Sequence, residues 1–147
     1  MFAYGDPTAK KFTHDIHDYP GGVNIVNTEY DIAKNIWESG WRLPTSEEMK
    51  ELKEKCTWKY SKLNGVKGYY AIGPNGRSIF LPIAGYTTDG EKRYQAYDTD
   101  ECNNYGYYMC GDNSNDYNSF PLVLYSANVT FQPKYVYCGI SVRAVTK

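Results

Sequence analysis

The sequence lacks the features that mark several large classes of protein. Its formal net charge is only −1 over 147 residues, so no strong positive field exists to attract nucleic acid or an anionic membrane surface. No apolar run reaches the length of about 18 residues that a membrane-spanning helix needs, so we expect no direct membrane insertion. These absences exclude a nucleic-acid partner and favour a globular domain.

Cysteine is scarce and widely spaced. The chain has four cysteines, Cys56, Cys102, Cys110 and Cys138, and no two of them form a C-x-x-C pair. Structural zinc sites need closely spaced ligand pairs, so we expect neither a metal nor another cofactor. Disulfides in several pairings and reduced thiols packed in the core both remain open from the sequence.

Tyrosine, by contrast, is abundant, with 16 residues in the chain. Its side chain offers a large, rigid contact area with a polar tip at low entropic cost, which makes tyrosine common on recognition surfaces. Tyrosine also has a high strand propensity. We therefore expect some tyrosines to fill strands and others to form a binding surface.

Two helices are predicted in the first half of the chain. Thr28 is interpreted as the N-cap of the first, whose apolar residues recur at helical spacing up to Trp37 and which stops at Gly40. The second begins at a capping box, Thr45-Ser46-Glu47-Glu48. One face of this second helix is apolar and carries Met49, Leu52 and Cys56.

The second half is predicted to consist of short strands and turns. The predicted strands are 68–72, 78–81, 107–110, 122–125 and 139–145. A turn is expected at Gly73-Pro74-Asn75-Gly76, and residues 87–104 form a long polar loop. This order of helices followed by strands predicts a single α+β domain that spans residues 1–147.

Several motifs, in order, resemble those of one family. They are Gly40-Trp41-Arg42-Leu43-Pro44-Thr45-Ser46-Glu47-Glu48, Cys56-Thr57-Trp58, Gly73-Pro74-Asn75-Gly76 with Ser78-Ile79-Phe80-Leu81-Pro82 and Ala84-Gly85-Tyr86, Gly106-Tyr107-Tyr108, and Gly139-Ile140-Ser141-Val142-Arg143-Ala144-Val145. The chain resembles the Fibrobacter succinogenes major paralogous domain family of gut Bacteroidetes. That family is related to formylglycine-generating-enzyme-like domains and to the variable proteins of diversity-generating retroelements.

The resemblance covers about residues 28–145 and implies a C-type lectin fold. The chemistry of the motif residues favours structural roles: we expect Trp41, Leu43 and Phe80 to fill the core, and Arg42 and Arg143 to hold loop carbonyls or carboxylates. Similar proteins usually begin with further sequence before the equivalent of 2–6. We therefore expect an N-terminally truncated domain, or the C-terminal domain of a longer protein.

The related retroelement proteins bind their targets through polar and aromatic residues near the C-terminus. The corresponding segment here is about 107–137, and its mixture of rigid aromatic and small adaptable polar side chains is typical of a binding surface. The candidate ligand-binding residues are Asp112, Asn113, Asn115, Asp116, Tyr117, Asn118, Tyr125, Phe131, Tyr135 and Tyr137. We expect a non-enzymatic domain, extracellular, at the cell surface or on a virion, that binds a protein or glycan ligand on a cell surface.

Three alternatives are weaker. Asp112, Asn115 and Asp116 carry oxygens that suit calcium, but the lectin motifs for calcium-dependent sugar binding are absent and a solvated turn is favoured. Cys110 and Cys138 lie in the half where formylglycine-generating relatives carry a copper-binding cysteine pair, yet their surroundings do not match and no cation flanks Cys110. His14 and His17 are expected to form a surface pair. A purely structural module of a larger surface protein is the remaining alternative.

Overall fold

The computed structural model describes residues 22–37, 40–87 and 104–146 of the chain. The helices and strands in these ranges are α1 (Ile32–Ile36), β1 (Trp41–Arg42), α2 (Ser46–Lys55), β2 (Thr57–Leu63), β3 (Val66–Ile72), β4 (Ser78–Pro82), β5 (Tyr105–Tyr108), β6 (Asn118–Ser119), β7 (Leu122–Tyr125), β8 (Asn128–Phe131), β9 (Lys134–Tyr135) and β10 (Val145–Thr146). Their antiparallel sheets have the orders β1-β10, β2-β3-β4, β5-β7-β8 and β6-β9. The α+β class is therefore confirmed. His14, His17, Cys102 and most of the predicted 87–104 loop lie outside the described residues.

Helix α1 is capped by Asp31, and the prediction of Thr28 as its N-cap was wrong. The fully buried carboxylate of Asp31 accepts hydrogen bonds from the N–H groups of Ala33 at 3.0 Å and Lys34 at 3.2 Å. It also accepts from the N–H of Leu43 at 3.1 Å, whereas the Thr28 hydroxyl donates to the Ile25 carbonyl. The Asp31 carboxylate is the better cap than the Thr28 hydroxyl because its two oxygens can cap the helix and also bind the segment that follows β1.

The capping box of α2 is confirmed. The Thr45 side chain accepts from the Glu48 N–H, and the Glu48 carboxylate accepts from the Thr45 N–H. Arg42 makes a bidentate ion pair with Glu48 at 2.7 and 2.6 Å and donates to the Leu43 carbonyl, as expected for this arginine. Because Arg42 lies in β1, the ion pair joins this strand to the first turn of the helix.

The β2-β3-β4 sheet contains one strand that the sequence prediction missed. Strands β3 and β4 were predicted at 68–72 and 78–81, and the turn between them closes with a hydrogen bond from Gly76 N to the Gly73 carbonyl at 2.9 Å. Strand β2 pairs with β3 along its whole length. The hairpin between them turns at Asn64 and Gly65, whose φ values of 49° and 81° suit a tight two-residue turn.

The β5-β7-β8 sheet separates two clusters of buried residues. Tyr107 and Val123 belong to the cluster that contains Leu43, while Tyr108 and Leu122 belong to the cluster under α2. This division follows from the alternation of side chains along a strand. Both faces of the sheet are therefore packed near its centre.

Two core assignments and one strand need correction. Trp41 is 42% exposed, because it lies in the two-residue strand β1 at the edge of the domain. Phe80 is half-buried and packs on Tyr70 with ring centroids 5.0 Å apart. The predicted strand 139–145 is replaced by separate bridges from Gly139 and Ser141 to different segments, followed by β10. Leu43, as expected, is fully buried.

Arg143, which we expected to hold loop carbonyls or carboxylates, is exposed. It lines a cavity of about 230 Å³ together with Trp37 and Trp41.

In the part of the chain that the structure describes, no helix is both long enough and apolar enough to cross a membrane.

Candidate binding surfaces

A tight polar hairpin presents the first of the predicted site residues. Asn115 and Asn118 close it, since the Asn115 N–H donates to the Asn118 carbonyl and the Asn115 side chain accepts from the Asn118 N–H, both at 2.8 Å. The same side-chain oxygen accepts from the Tyr117 N–H at 3.0 Å. These bonds leave Asp116 and Tyr117 at the tip, where both are exposed.

The hairpin docks onto a second segment that carries further tyrosines. Strand β6 pairs with β9, with Asn118 opposite Tyr135, and the Val136 N–H donates to the Tyr117 carbonyl at 3.0 Å. Tyr117 and Tyr135 are 68% and 55% exposed. We call the surface formed by Asp116, Tyr117, Asn118, Tyr135 and Tyr137 the tyrosine ledge.

The ledge is supported from beneath by packed rings. Tyr135 stacks on Tyr137 with centroids 5.2 Å apart and ring planes 9° apart, and Tyr137 packs against the first core cluster. Next to them, the ammonium group of Lys134 lies 3.5 Å from the ring centroid of Tyr86 and 4.7 Å from that of Tyr107. Stacking and cation–π contacts of this kind fix side-chain orientation. Stacking on Tyr137 therefore holds the exposed ring of Tyr135 in position.

Four predicted site residues hold the fold together instead. The Asp112 carboxylate accepts from the Ser46 N–H at 2.6 Å, in the first turn of α2. Asn113 and Asn115 bond within the polar hairpin. Phe131 is half-buried against the second core cluster because it lies on the inner face of β8. We therefore leave these four out of the ledge.

Tyr125 belongs to a different surface, a cleft that sequence reasoning missed. A cavity of about 630 Å³ lies between the β2-β3-β4 and β5-β7-β8 sheets. We call it the tyrosine cleft, and its lining residues are Tyr60, Tyr69, Ile83, Asn104, Tyr105, Tyr125, Ser126 and Ala127. The tyrosines come from two strand pairs, β2-β3 and β5-β7, that are distant from each other in sequence, so no local pattern could have identified the cleft.

The turn at one rim of the cleft adopts an unfavourable backbone conformation. Ser126 and Ala127 join β7 to β8 with φ values of 45° and 66°, a region that suits Asn and Gly. The Ala127 N–H donates to the Tyr69 hydroxyl at 2.8 Å, which ties the turn to β3. Backbone strain of this kind tends to occur at functional sites.

The described cysteines lie in different parts of the fold. Cys110 and Cys138 are buried in different core clusters, and Cys56 is half-buried at the end of α2. Burial raises the pKa of the Cys110 thiol to about 12, with a smaller contribution from the nearby Asp112 carboxylate. A thiol in this state is a poor nucleophile at neutral pH.

Among the described residues, no group of three or more His, Cys, Asp or Glu side chains is arranged to hold a metal ion.

Comparison with known proteins finds no match to this chain among family models, curated proteins or solved structures.

Proposed function

We propose that this protein is a non-enzymatic recognition domain with a C-type lectin fold, which binds a protein or glycan ligand on a cell surface through the tyrosine ledge. One observation carries the proposal. Tyr117 and Tyr135 are more than half exposed, and the two segments that carry them are joined by backbone pairing. Exposed aromatic side chains in fixed positions are what binding hot spots require.

The ledge is pre-organised, which favours binding. Asn115 locks the turn that carries Tyr117, and the ring of Tyr137 backs the ring of Tyr135. A side chain that is already ordered loses little entropy when a ligand arrives. The small polar groups of Asp116 and Asn118 beside the rings add adaptable hydrogen bonding, as in antibody binding sites.

The relation between the sequence motifs supports the fold proposal. The Gly40-to-Glu48 motif and the Gly139-to-Val145 motif lie far apart in the sequence. They meet in one sheet, in which Trp41 is opposite Thr146 and Arg42 is opposite Val145. Motifs that resemble one family and also contact each other support a shared fold.

A recognition domain of this kind would act extracellularly, at a cell surface or on a virion. The resemblance to retroelement variable proteins adds the proposal that the ledge is diversified. A reverse transcriptase gene and a near-copy of the 3′ coding end beside the gene would support diversification, and their absence would argue against it.

The binding proposal is tested with a panel of immobilised glycans and gut-surface proteins. The wild-type chain is compared with the triple variant Asp116→Ala/Tyr117→Ala/Tyr135→Ala. We expect at least one panel member to capture the wild type, and the triple variant to bind it at least about tenfold more weakly because two hot-spot rings are lost. Leu63→Ala is the matched control, since Leu63 is also exposed and apolar but lies in β2.

Circular dichroism and thermal melting verify that all three proteins are folded. Equal capture of the wild type and the triple variant would contradict the ledge as the binding site. Failure of every panel member to capture the wild type would count against recognition and favour a structural module.

A further inference from the structure

We propose that the tyrosine cleft is a second binding site, which takes an uncharged oligosaccharide without the help of calcium. The cleft shares no residue with the tyrosine ledge, so this proposal goes beyond the ledge and does not depend on it. It rests on the rings, the polar groups and the rim of the cleft.

Two exposed rings flank the cleft and each is backed by another ring. Tyr60 is 49% exposed on β2 and meets Tyr69 edge to face, with centroids 5.5 Å apart. Tyr125 is 36% exposed on β7 and stacks on Tyr105, with centroids 4.0 Å apart and planes 8° apart. A sugar ring presents a face of C–H groups that packs flat on an aromatic ring. Rings held in this way lose little freedom when a sugar stacks on them.

The polar groups of the cleft are neutral and can both donate and accept hydrogen bonds. Among the described residues that line it, none carries a formal charge, and the polar side chains besides the tyrosines are Asn104 and Ser126. Phenol, carboxamide and alcohol groups each combine a donor with an acceptor. Sugar hydroxyl groups have the same two-sided chemistry. A proline-rich peptide would offer mainly acceptors, and a charged ligand would lose hydration without gaining a counter-charge.

The size and rim of the cleft also suit an oligosaccharide. Its volume of about 630 Å³ lies within the usual range for ligand sites and has room for more than one sugar ring. The strained turn at Ser126 and Ala127, fixed by the Tyr69 hydroxyl, gives one rim a defined shape. No carboxylate lines the described cleft. Calcium, which prefers several oxygen ligands including carboxylates, therefore has no role in the proposed site.

Methyl NMR tests the proposal because two aliphatic residues line the cleft. The protein is labelled at the Ile δ1 and Ala β methyl groups and titrated separately with cellohexaose, xylohexaose, maltohexaose and mannohexaose. We expect at least one of these to shift the Ile83 and Ala127 signals saturably, with and without EDTA. The buried core residues Ile25 and Ile140 report on any general change of structure.

Substitutions at Tyr60 then test whether the sugar binds by stacking on this ring. We expect Tyr60→Ala to lower the affinity for the sugar by at least about tenfold. Tyr60→Phe keeps the ring and should lower the affinity by less. Leu63→Ala is the matched control, because it is exposed on the same strand but does not line the cleft. Its affinity is expected to equal that of the wild type.

Several outcomes would overturn the proposal. They are the absence of saturable shifts with all four sugars, loss of binding in EDTA, equal affinity of Tyr60→Ala and wild type, and shifts caused only by a proline-rich peptide or by oligogalacturonate. The wild-type titration gives an answer even if a variant does not fold. A negative titration leaves the ledge proposal standing, because that proposal is read from capture by the panel.

Discussion

At the scale of single residues, the tyrosines divide by burial into two groups with different roles. Tyr69 and Tyr108 are buried and bond through their hydroxyl groups to the backbone, Tyr69 as acceptor from Ala127 and Tyr108 as donor to Pro82 at 2.7 Å. Burial raises the pKa of Tyr108 above its ordinary value, which keeps its hydroxyl a donor. Tyr117 and Tyr135 instead offer their rings to solvent. In the proposed ledge site, the exposed rings of this second group contact the ligand.

Cys110 provides a prediction that separates packing from catalysis. Its pKa of about 12, raised mainly by burial, means that almost no thiolate exists at about pH 8. We expect iodoacetamide to alkylate the half-buried Cys56 in the native protein, and Cys110 only after unfolding. Timed alkylation followed by peptide mass spectrometry measures both sites in one sample.

The result bears on the enzyme alternative. Alkylation of Cys110 in the native protein at the rate of a free thiol would mean that the side chain is accessible and ionised. A role for Cys110 in chemistry would then have to be considered again.

At the scale of elements, local signals predict some structures and not others. The capping box of α2 is encoded within four consecutive residues, and its prediction is confirmed. The cap of α1 is different, because Asp31 is chosen over Thr28 by an additional bond to Leu43, twelve positions away. A local pattern cannot report that contact.

The turn sequence after β2 predicts a strand at this position, although the residues of β2 itself do not show a clear strand pattern. Asn64-Gly65 is a strong hairpin sequence, and it predicts that a strand precedes β3. The residues of β2 itself are mostly exposed and include Lys59 and Lys62, so the alternation of apolar and polar residues along the strand is weak. The pairing of β6 with β9 has no such signal, since it depends on how two loops dock.

The ion pair between β1 and α2 gives a prediction about pH. Arg42, by its hydrogen bonds, lowers the pKa of Glu48 from 4.5 to about 2. Because the native pKa is depressed, the stabilisation is complete above about pH 4.5 and is lost as the pH falls towards 2. Glu48→Gln keeps a hydrogen-bonding side chain but removes the charge. Since the Glu48 side chain is 37% exposed and solvent screens the pair, we expect a loss of about 1 kcal/mol in unfolding free energy at neutral pH.

Urea unfolding of wild type and Glu48→Gln from neutral pH to about pH 2 measures this effect. The difference in unfolding free energy should shrink between about pH 4.5 and 2, as Glu48 becomes protonated in the wild type. Glu47→Gln is the control, because Glu47 is exposed in the same helical turn. A difference that stays constant down to the lowest pH would contradict the ion-pair account.

At the scale of the whole molecule, a row of aromatic side chains runs from the cleft to the ledge. Tyr125 stacks on Tyr105, whose ring is stacked 5.8 Å from that of Tyr107. The Lys134 ammonium lies over Tyr107, and Tyr135 of the ledge is the next residue. These contacts connect the cleft to Lys134, the residue that precedes Tyr135 of the ledge.

The α+β class and much of the ledge could be predicted from the sequence, and the cleft could not. Tyr117 and Asn118 lie in one polar segment whose composition is typical of a binding surface. Tyr60 and Tyr125 become neighbours of one cavity only through the packing of two sheets. Composition also could not separate Phe131, which faces the core, from Tyr135, which does not.

Residue-resolved nitration of the tyrosines, with and without the panel member that captures the protein, tests the central claim most directly. In the free protein we predict that Tyr117 and Tyr135 react early and the buried Tyr69 and Tyr108 late. On the captured protein we predict that Tyr117 and Tyr135 are protected. Slow reaction of both ledge tyrosines in the free protein, or equal reaction with and without the target, would contradict the account.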